Sequence, residues 1–222
     1  MIVFLDIGST LIEGPNAGPA KRIAEALALG PEAMPKLERL LFRTPARDAE
    51  ELGERISVEL GTDRAIAVKA CVDLWRAQME EAFVLPGARE AIERLRSAGI
   101  RRAYLSNIWA PFYECFQREF ADEALCPQFV SFRAGLMKPD PEFFLSALRS
   151  VDAAPQEAVM VGDTYLNDIL PALNLGMRTV WVLHRPAKER RALVQVLNGE
   201  APKPDVTIHS IGDLCVEHLW KS

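Results

Sequence analysis

Six side chains in this sequence are of types that do chemistry, and they sit where a fold could gather them: Asp6, Ser106, Asn107, Lys138, Asp163 and Asp168. Asp6 directly follows the apolar run Ile2, Val3, Phe4 and Leu5. Ligands of open parallel sheets bind in the crevice at the carboxyl ends of the strands, so an acid there occupies a reactive position. On its own it reads equally well as a helix N-cap or a loop acid. Ser106 and Asn107 end a second apolar run, and Gly162-Asp163 ends a third, with Asp168 shortly after it. Between them, Gly135-Leu136-Met137-Lys138-Pro139-Asp140-Pro141 places a lysine in a loop just before a helix. Carboxylates at two strand ends are hard oxygen ligands suited to Mg²⁺, which binds through one or two of them plus substrate oxygens. A hydroxyl and an ammonium group nearby are donors for an anion. Separately, Ser106 is a strand-end hydroxyl, Lys138 a surface lysine before a proline turn, and Asp168 a polar residue early in a helix. Their shared location is what weakens those readings.

The elements that must position these residues alternate. After Pro86-Gly87, a helix carrying Ala91, Ile92, Leu95 and Ala98 stops at Gly99. Strand 100–105 then leads to a helix with Phe112, Phe116 and Phe120, and strand 129–132 leads through the Lys138 loop to a helix with Phe143, Phe144 and Leu148. Strand 158–161 precedes a helix ended by Gly176, and 179–183 is one more strand. Val206-Thr207-Ile208 and a last helix from Ile211 complete the pattern. Such alternation predicts an α/β fold, a parallel sheet with helices on both faces.

Residues 19–83 have a different texture. Ile12 to Pro19 is rich in turn formers and reads as a loop, and helical spacing follows without any evident strand. Ile23 and Leu27, Leu37, Leu40 and Leu41, Leu52, Ile56 and Leu60, and Val68, Val72, Trp75, Met79 and Phe83 mark four apolar faces. Thr44-Pro45 reads as an N-cap with a first-turn proline, and Gly30, Gly53 and Gly61 as punctuation. The expected organisation is a core of residues 1–15 and 86–222 with an inserted helical unit over 16–85, whose apolar stripes are bundle core.

A net charge of -5 and a pI near 5.4 argue against a broad nucleic-acid footprint. Lys188, Arg190 and Arg191, interleaved with Glu189, read as a solvated helix face. The four cysteines, Cys71, Cys115, Cys126 and Cys215, show no paired spacing and read as reduced core thiols. The apolar start has no basic region and meets Asp6 too early for a signal peptide, and no apolar run approaches the ~20 residues that span a bilayer. The expectation is a cytoplasmic protein without a membrane partner.

Asp6, Ser106, Lys138 and the Asp163–Asp168 pair, in that order and at strand ends or in the loops after them, resemble the four motifs of the haloacid dehalogenase-like (HAD) hydrolase superfamily. The resemblance spans almost the whole chain and rests on the ordered set. It implies a Rossmann-like core and, for residues 16–85, a helical cap over the crevice. It further implies a Mg²⁺-dependent phosphatase of a small phosphorylated metabolite, with Asp6 as nucleophile and an aspartyl-phosphate intermediate. Ser106, the Asn107 backbone N–H and Lys138 would then hold the phosphate, and Asp6, the Gly8 carbonyl and Asp163 the metal. Asp168 would hold the metal through water or orient Lys138.

One position departs from the pattern. Most HAD phosphatases read D-x-D-x-T, and the second acid protonates the leaving alkoxide and then activates water; here it is Gly8. General acid–base catalysis contributes about 10²–10⁴-fold, so a poor leaving group should suffer by that order. Glu13 and His184 are the candidate substitutes. A haloacid-dehalogenase-like hydrolase, whose halide needs no proton, and a phosphate-binding or regulatory protein with weak turnover are the alternatives.

Overall fold

The structure, a computed structural model, describes residues 1–220. Strand β1 (Ile2–Leu5) is buried at all four residues and is the axis of a six-stranded sheet. Its side chains alternate between two cores. Val3 and Leu5 point to one, Ile2 and Phe4 to the other, as the period of two requires for a strand covered on both faces.

The chain leaves β1 through Asp6 and forms β2 (Ile12–Glu13) before entering the helices α1 (Pro19–Ala26), α2 (Met34–Phe42), α3 (Ala49–Leu60) and α4 (Arg64–Glu81). It returns through β3 (Phe83–Val84). β2 and β3 pair antiparallel, Ile12 with Val84 and Glu13 with Phe83, so the expected loop after Leu11 begins as a two-residue ribbon, and so does the expected helical face at Phe83. Strands this short carry no readable alternation. α3 starts after Asp48, whose carboxylate accepts from the Glu51 N–H, and not at Thr44-Pro45. Gly53 lies inside α3, where a Cβ would stand 2.5 Å from the Val68 Cα, so this glycine admits close packing against α4 and is no break. The buried line of α4 is Ala67, Cys71, Leu74 and Gln78. The expected stripe, Val68, Val72, Trp75 and Met79, flanks it half-buried, because α4 is covered by the other helices on one side and by the sheet domain on another.

The helices share an apolar cluster that includes Ile23, Leu37, Leu41, Ile56 and Leu74. Trp109, from the loop after the strand that ends at Ser106, is buried in the same cluster and meets Trp75 edge-on at 6.0 Å.

The remaining elements are α5 (Ala88–Ser97), β4 (Arg101–Ser106), α6 (Ala110–Glu119), β5 (Gln128–Val130), α7 (Ser131–Ala134), α8 (Pro141–Ser150), β6 (Ala158–Gly162), α9 (Leu170–Leu175), β7 (Arg178–Val182), α10 (Arg190–Leu197) and β8 (Val206–Ile208). The sheet order is β5-β4-β1-β6-β7-β8, parallel throughout, so β4 and β6 flank β1 and the order reverses there. α5 and α6 cover one face, α8 and α9 the other. This is the predicted Rossmann-like α/β fold. β5 ends before Phe132, which lies in α7, and the segment after Ile211 forms two short 3₁₀ turns in place of a helix. Cys71 and Cys115 are buried thiols as expected, whereas Cys126 and Cys215 are only half-buried.

Candidate active site

The carboxyl ends of β4, β1 and β6 lie side by side, and each delivers a functional group: Ser106 and Asn107, Asp6, and Asp163. The Asp6 N–H donates to the Val161 carbonyl at 2.9 Å, continuing the ladder and fixing the direction in which Asp6 leaves the sheet.

Lys138 arrives from the loop before α8 and is itself buried, although the residues on either side of it are not. Its ammonium donates to Asp6 Oδ1 at 2.7 Å, Asp168 Oδ1 at 2.5 Å and the Leu105 carbonyl at 2.8 Å, using all three protons. Burial alone would lower its pKa, but Asp168 and Asp6 raise it above the ordinary lysine value, so the charge stays. The loop is held by an exchange of hydrogen bonds with Asn107. The Lys138 N–H donates to Asn107 Oδ1 at 2.8 Å, and Asn107 Nδ2 donates to the Lys138 carbonyl at 2.7 Å. That positioning role of the Asn107 side chain has no signature in the sequence, since the partners are far apart in it.

Asp168 is reached from β6 through a single π-helical turn (Tyr165–Ile169), a local irregularity frequent at functional sites. Its second oxygen accepts from the Thr164 N–H at 2.9 Å. Glu189 accepts from the Tyr165 N–H at 2.9 Å and so secures the start of the turn. Glu189 is therefore not simply part of a solvated face, although Arg190 and Arg191 beside it are exposed. Gly162 makes room for the turn, because a Cβ there would lie 2.5 Å from the Asp168 carboxyl carbon.

Oxygens of Asp6, Asp163 and Asp168 lie within 4.8 Å of one another. Burial, then Asp6 and Asp168, push the Asp163 carboxyl well above the usual carboxylate range, although Arg185 Nη2 donates to its Oδ2 at 2.5 Å. Three buried acids of hard oxygen character, one destabilised as an anion by the others, fit a divalent cation. The Gly8 carbonyl accepts no hydrogen bond among the described residues and is available to the same cation.

Donors for an anion are present at the same strand ends. The Ser106 hydroxyl is buried and has no partner. The backbone N–H groups of Ile7, Gly8 and Asn107 donate to nothing among the described residues, although unpaired buried N–H groups are costly. Those of Ile7 and Gly8 went unnoticed in the sequence because backbone donors have no residue type. Thr10 Oγ1 donates to Asp6 Oδ2 at 3.3 Å.

The two candidate proton carriers meet each other, with His184 Nε2 3.5 Å from Glu13 Oε2. Burial opposes ionisation of Glu13, but His184, Arg185, the Gly14 N–H and Ser9 bring its carboxyl down to about 2. It is ionised at neutral pH and has no proton to give a leaving group, which removes Glu13 as the substitute acid. A cavity of about 270 Å³ opens beside Gly8, Ser9 and Asn107 and runs between Phe112, Trp109, Gln78, Arg185 and Lys188, so Lys188 stands at its rim and not merely on a solvated face. A larger cleft of about 470 Å³, near Arg47, Arg55 and Arg133, contains none of the three acids. Among the described residues no helix is long and apolar enough to cross a membrane.

Residues 1–176 match the family of haloacid dehalogenase-like hydrolases. The glyceraldehyde 3-phosphate phosphatase of Pyrococcus furiosus is 32% identical over 102 residues, 44% of this chain and 41% of that protein. The ribulose-1,5-bisphosphate 5-phosphatase of Halopiger xanaduensis is 30% identical over 146 residues, 63% of this chain and 59% of that one. The chain thus spans about two fifths to three fifths of the length of these relatives. The crystal structure of CbbY from Rhodobacter sphaeroides in complex with phosphate superimposes with a TM-score of 0.60 at 22% identity, covering 99% of each chain, a likeness of fold.

Proposed function

The chain belongs to the haloacid dehalogenase-like hydrolases, and from that premise we propose that it is a Mg²⁺-dependent phosphatase of a small phosphorylated metabolite, with Asp6 as nucleophile. The observation that carries this reading is the buried arrangement in which Lys138 bridges Asp6 and Asp168 while Asp163 completes a three-acid cluster. At the same strand ends are the unpaired Ser106 hydroxyl and three unpaired backbone N–H groups. A nucleophilic carboxylate and a phosphate ester are both anions, so their approach needs positive charge between them. A divalent cation held by Asp6, Asp163 and the Gly8 carbonyl, with Asp168 acting through water or through Lys138, would supply that charge.

In this reading Lys138 keeps Asp6 ionised and orients it. Ser106 and the N–H groups of Ile7, Gly8 and Asn107 receive the phosphate oxygens. Asp6 bonds to phosphorus as the P–O bond to the alcohol breaks, and water then hydrolyses the aspartyl-phosphate, releasing phosphate. A dehalogenase, whose halide leaves without a proton, would not need the metal, so dependence of turnover on Mg²⁺ separates the two readings. The test is phosphate release over a panel of phosphate esters and acyl phosphates, with Mg²⁺ and with the metal removed. Mg²⁺-dependent release that is lost in Asp6→Asn, with the fold retained, is expected. Release unaffected by metal removal, or by Asp6→Asn, would exclude this mechanism. Phosphate binding with no turnover of any compound would favour a binding or regulatory protein.

A further inference from the structure

Two side chains that line the cavity beside Gly8, Arg185 and Gln78, have a buried nitrogen without a partner, and the amide of Gln78 is the one held in orientation by its other end. Gln78, on α4, is 5% exposed. Its Oε1 accepts from the Trp109 indole N–H at 3.1 Å, and this fixes which way the amide faces. The other end, Nε2, is buried and bonds to nothing. Leaving a buried donor unsatisfied costs about 1–3 kcal/mol, so such a group in a cavity calls for a ligand acceptor. The indole has only a donor to offer, so the amide cannot turn over without placing two donors face to face.

Its position relative to the reacting centre follows from the glycines. A Cβ at Gly8 would stand 3.4 Å from Phe112 Cε1, and one at Gly14 would stand 3.5 Å from Phe112 Cε2 and 3.2 Å from Gln78 Nε2. One phenyl ring therefore spans from Gly8, where the leaving group departs, to the free amide. Gly14 lies against Nε2, and any side chain there would crowd it. A leaving alcohol of about three carbons lying along Phe112 would bring an oxygen to Nε2, and the cavity, at about 270 Å³, is at the small end of ligand sites.

We propose that Gln78 is a specificity-determining residue: its N–H₂ group reads an oxygen acceptor, hydroxyl or carboxylate, on the alcohol part of a short phosphate ester. The inference rests on the phosphatase reading of the same site. A site built to hydrogen-bond a substrate group discriminates strongly against the analogue that lacks it, because its own donor is then stranded. Selectivity is thus carried by a helix remote in sequence from every catalytic motif, through an amide locked by a tryptophan of the sheet domain.

The experiment measures binding in Asp6→Asn protein with Mg²⁺, so that turnover is not required. Glycerol 1-phosphate, 3-phosphoglycerate and propyl phosphate, together with inorganic phosphate, are titrated calorimetrically. At least one of the first two should bind about 10-fold or more tightly than propyl phosphate, and which one does so tells hydroxyl from carboxylate. Adding Gln78→Leu should bring that ratio to within about threefold while inorganic phosphate affinity changes little. Because Gln78→Leu also strands the indole N–H, Gln78→Glu is run in parallel. It keeps an acceptor for Trp109 and replaces the free donor by a carboxylate oxygen, so it should abolish a preference for 3-phosphoglycerate, whose carboxylate it repels, with circular dichroism checking that the variant is folded. No preference in the parent, or a preference that survives both substitutions, would overturn the proposal. Failure of every ester and of inorganic phosphate to bind, in the wild type as well as in Asp6→Asn protein, would overturn the phosphatase reading, and this inference with it.

Discussion

At the level of single residues, the position that departs most from the family pattern is also the one most open to change. Gly8 has no left-handed backbone angle, and a Cβ there makes ordinary contact with Phe112 at 3.4 Å, so aspartate is admissible. Glu13, held ionised, does not replace the missing proton donor, and Asp163 and Asp168, which hold protons in the metal-free site, give them up to a bound cation. Wild-type rates should therefore depend steeply on leaving-group acidity, aryl and acyl phosphates exceeding alkyl phosphates. Folded Gly8→Asp should gain about 10²-fold on alkyl phosphates and less on aryl ones in kcat measurements. Equal wild-type rates on both, or no gain in the variant, would refute this. A second expectation concerns protons. Burial raises the Asp168 carboxyl to about 6 from 3.8, opposed by Lys138 and reinforced by Asp6, and Asp163 is raised in the same direction. The folded state then holds protons that the unfolded state has released, so metal-free stability falls as pH rises from about 4 to about 6 and then levels off. Mg²⁺ replaces those protons, and should raise the thermal midpoint more at pH 7 than at pH 5. A metal-free midpoint that climbs through this window would contradict the assignment. Asp6, Lys138, Asp163 and Asp168 were legible in the sequence because their types announce chemistry. The Ile7 and Gly8 N–H groups were not, since a backbone donor becomes special only when the fold leaves it unpaired.

Among the elements, the strand ends do the gathering and the turns after them do the aiming. Apolar runs read correctly as β1, β4, β6 and β7 because strands covered on both faces need little else. Two-residue β2 and β3 were invisible, as was the π-helical turn at Tyr165–Ile169, which depends on tertiary bonds from Asp168, Glu189 and the space above Gly162. That dependence gives a test. Gly162→Ala forces a Cβ to 2.5 Å from the Asp168 carboxyl carbon, so the turn must shift and Lys138 loses one of its three acceptors. The variant should lose about 1–3 kcal/mol in denaturant unfolding, and calorimetric titration should show weaker Mg²⁺ binding. Asp163→Ala should weaken Mg²⁺ binding more, since it removes a carboxylate that faces the cluster directly. Unchanged Mg²⁺ affinity in Asp163→Ala would remove this residue from the metal site.

Across the whole molecule, two of the junctions between the helical segment and the sheet are of opposite character. One is a core: Trp109 leaves the end of β4 and is buried among the side chains of α1 to α4. Trp109→Ala removes a large buried side chain, a change of about 3–5 kcal/mol, and should separate the unfolding of the helices from that of the sheet. Far-UV ellipticity and Trp181 fluorescence would then no longer follow one transition. Coincident transitions would mean that other contacts couple the two. The run of helices was readable from the loss of strand texture between residues 19 and 83, but this bridging tryptophan was not, since nothing local in Ile108-Trp109 says which core it joins. The other junction is the ribbon in which Ile12 pairs with Val84, and it bears on the order of folding. β1 must find β4 across a long stretch of chain, Ile2 opposite Arg101, whereas the helices make mostly local contacts. Loop closure grows costlier with length, and local contacts form fastest. If the helices gather first and the ribbon closes, the two ends of that stretch are already neighbours, and the remaining crossover is little more than α5. The inserted helices then act as a splint that brings the nucleophile's strand to its partner, and pulse-labelled amides of α3 and α4 should gain protection before those of β1.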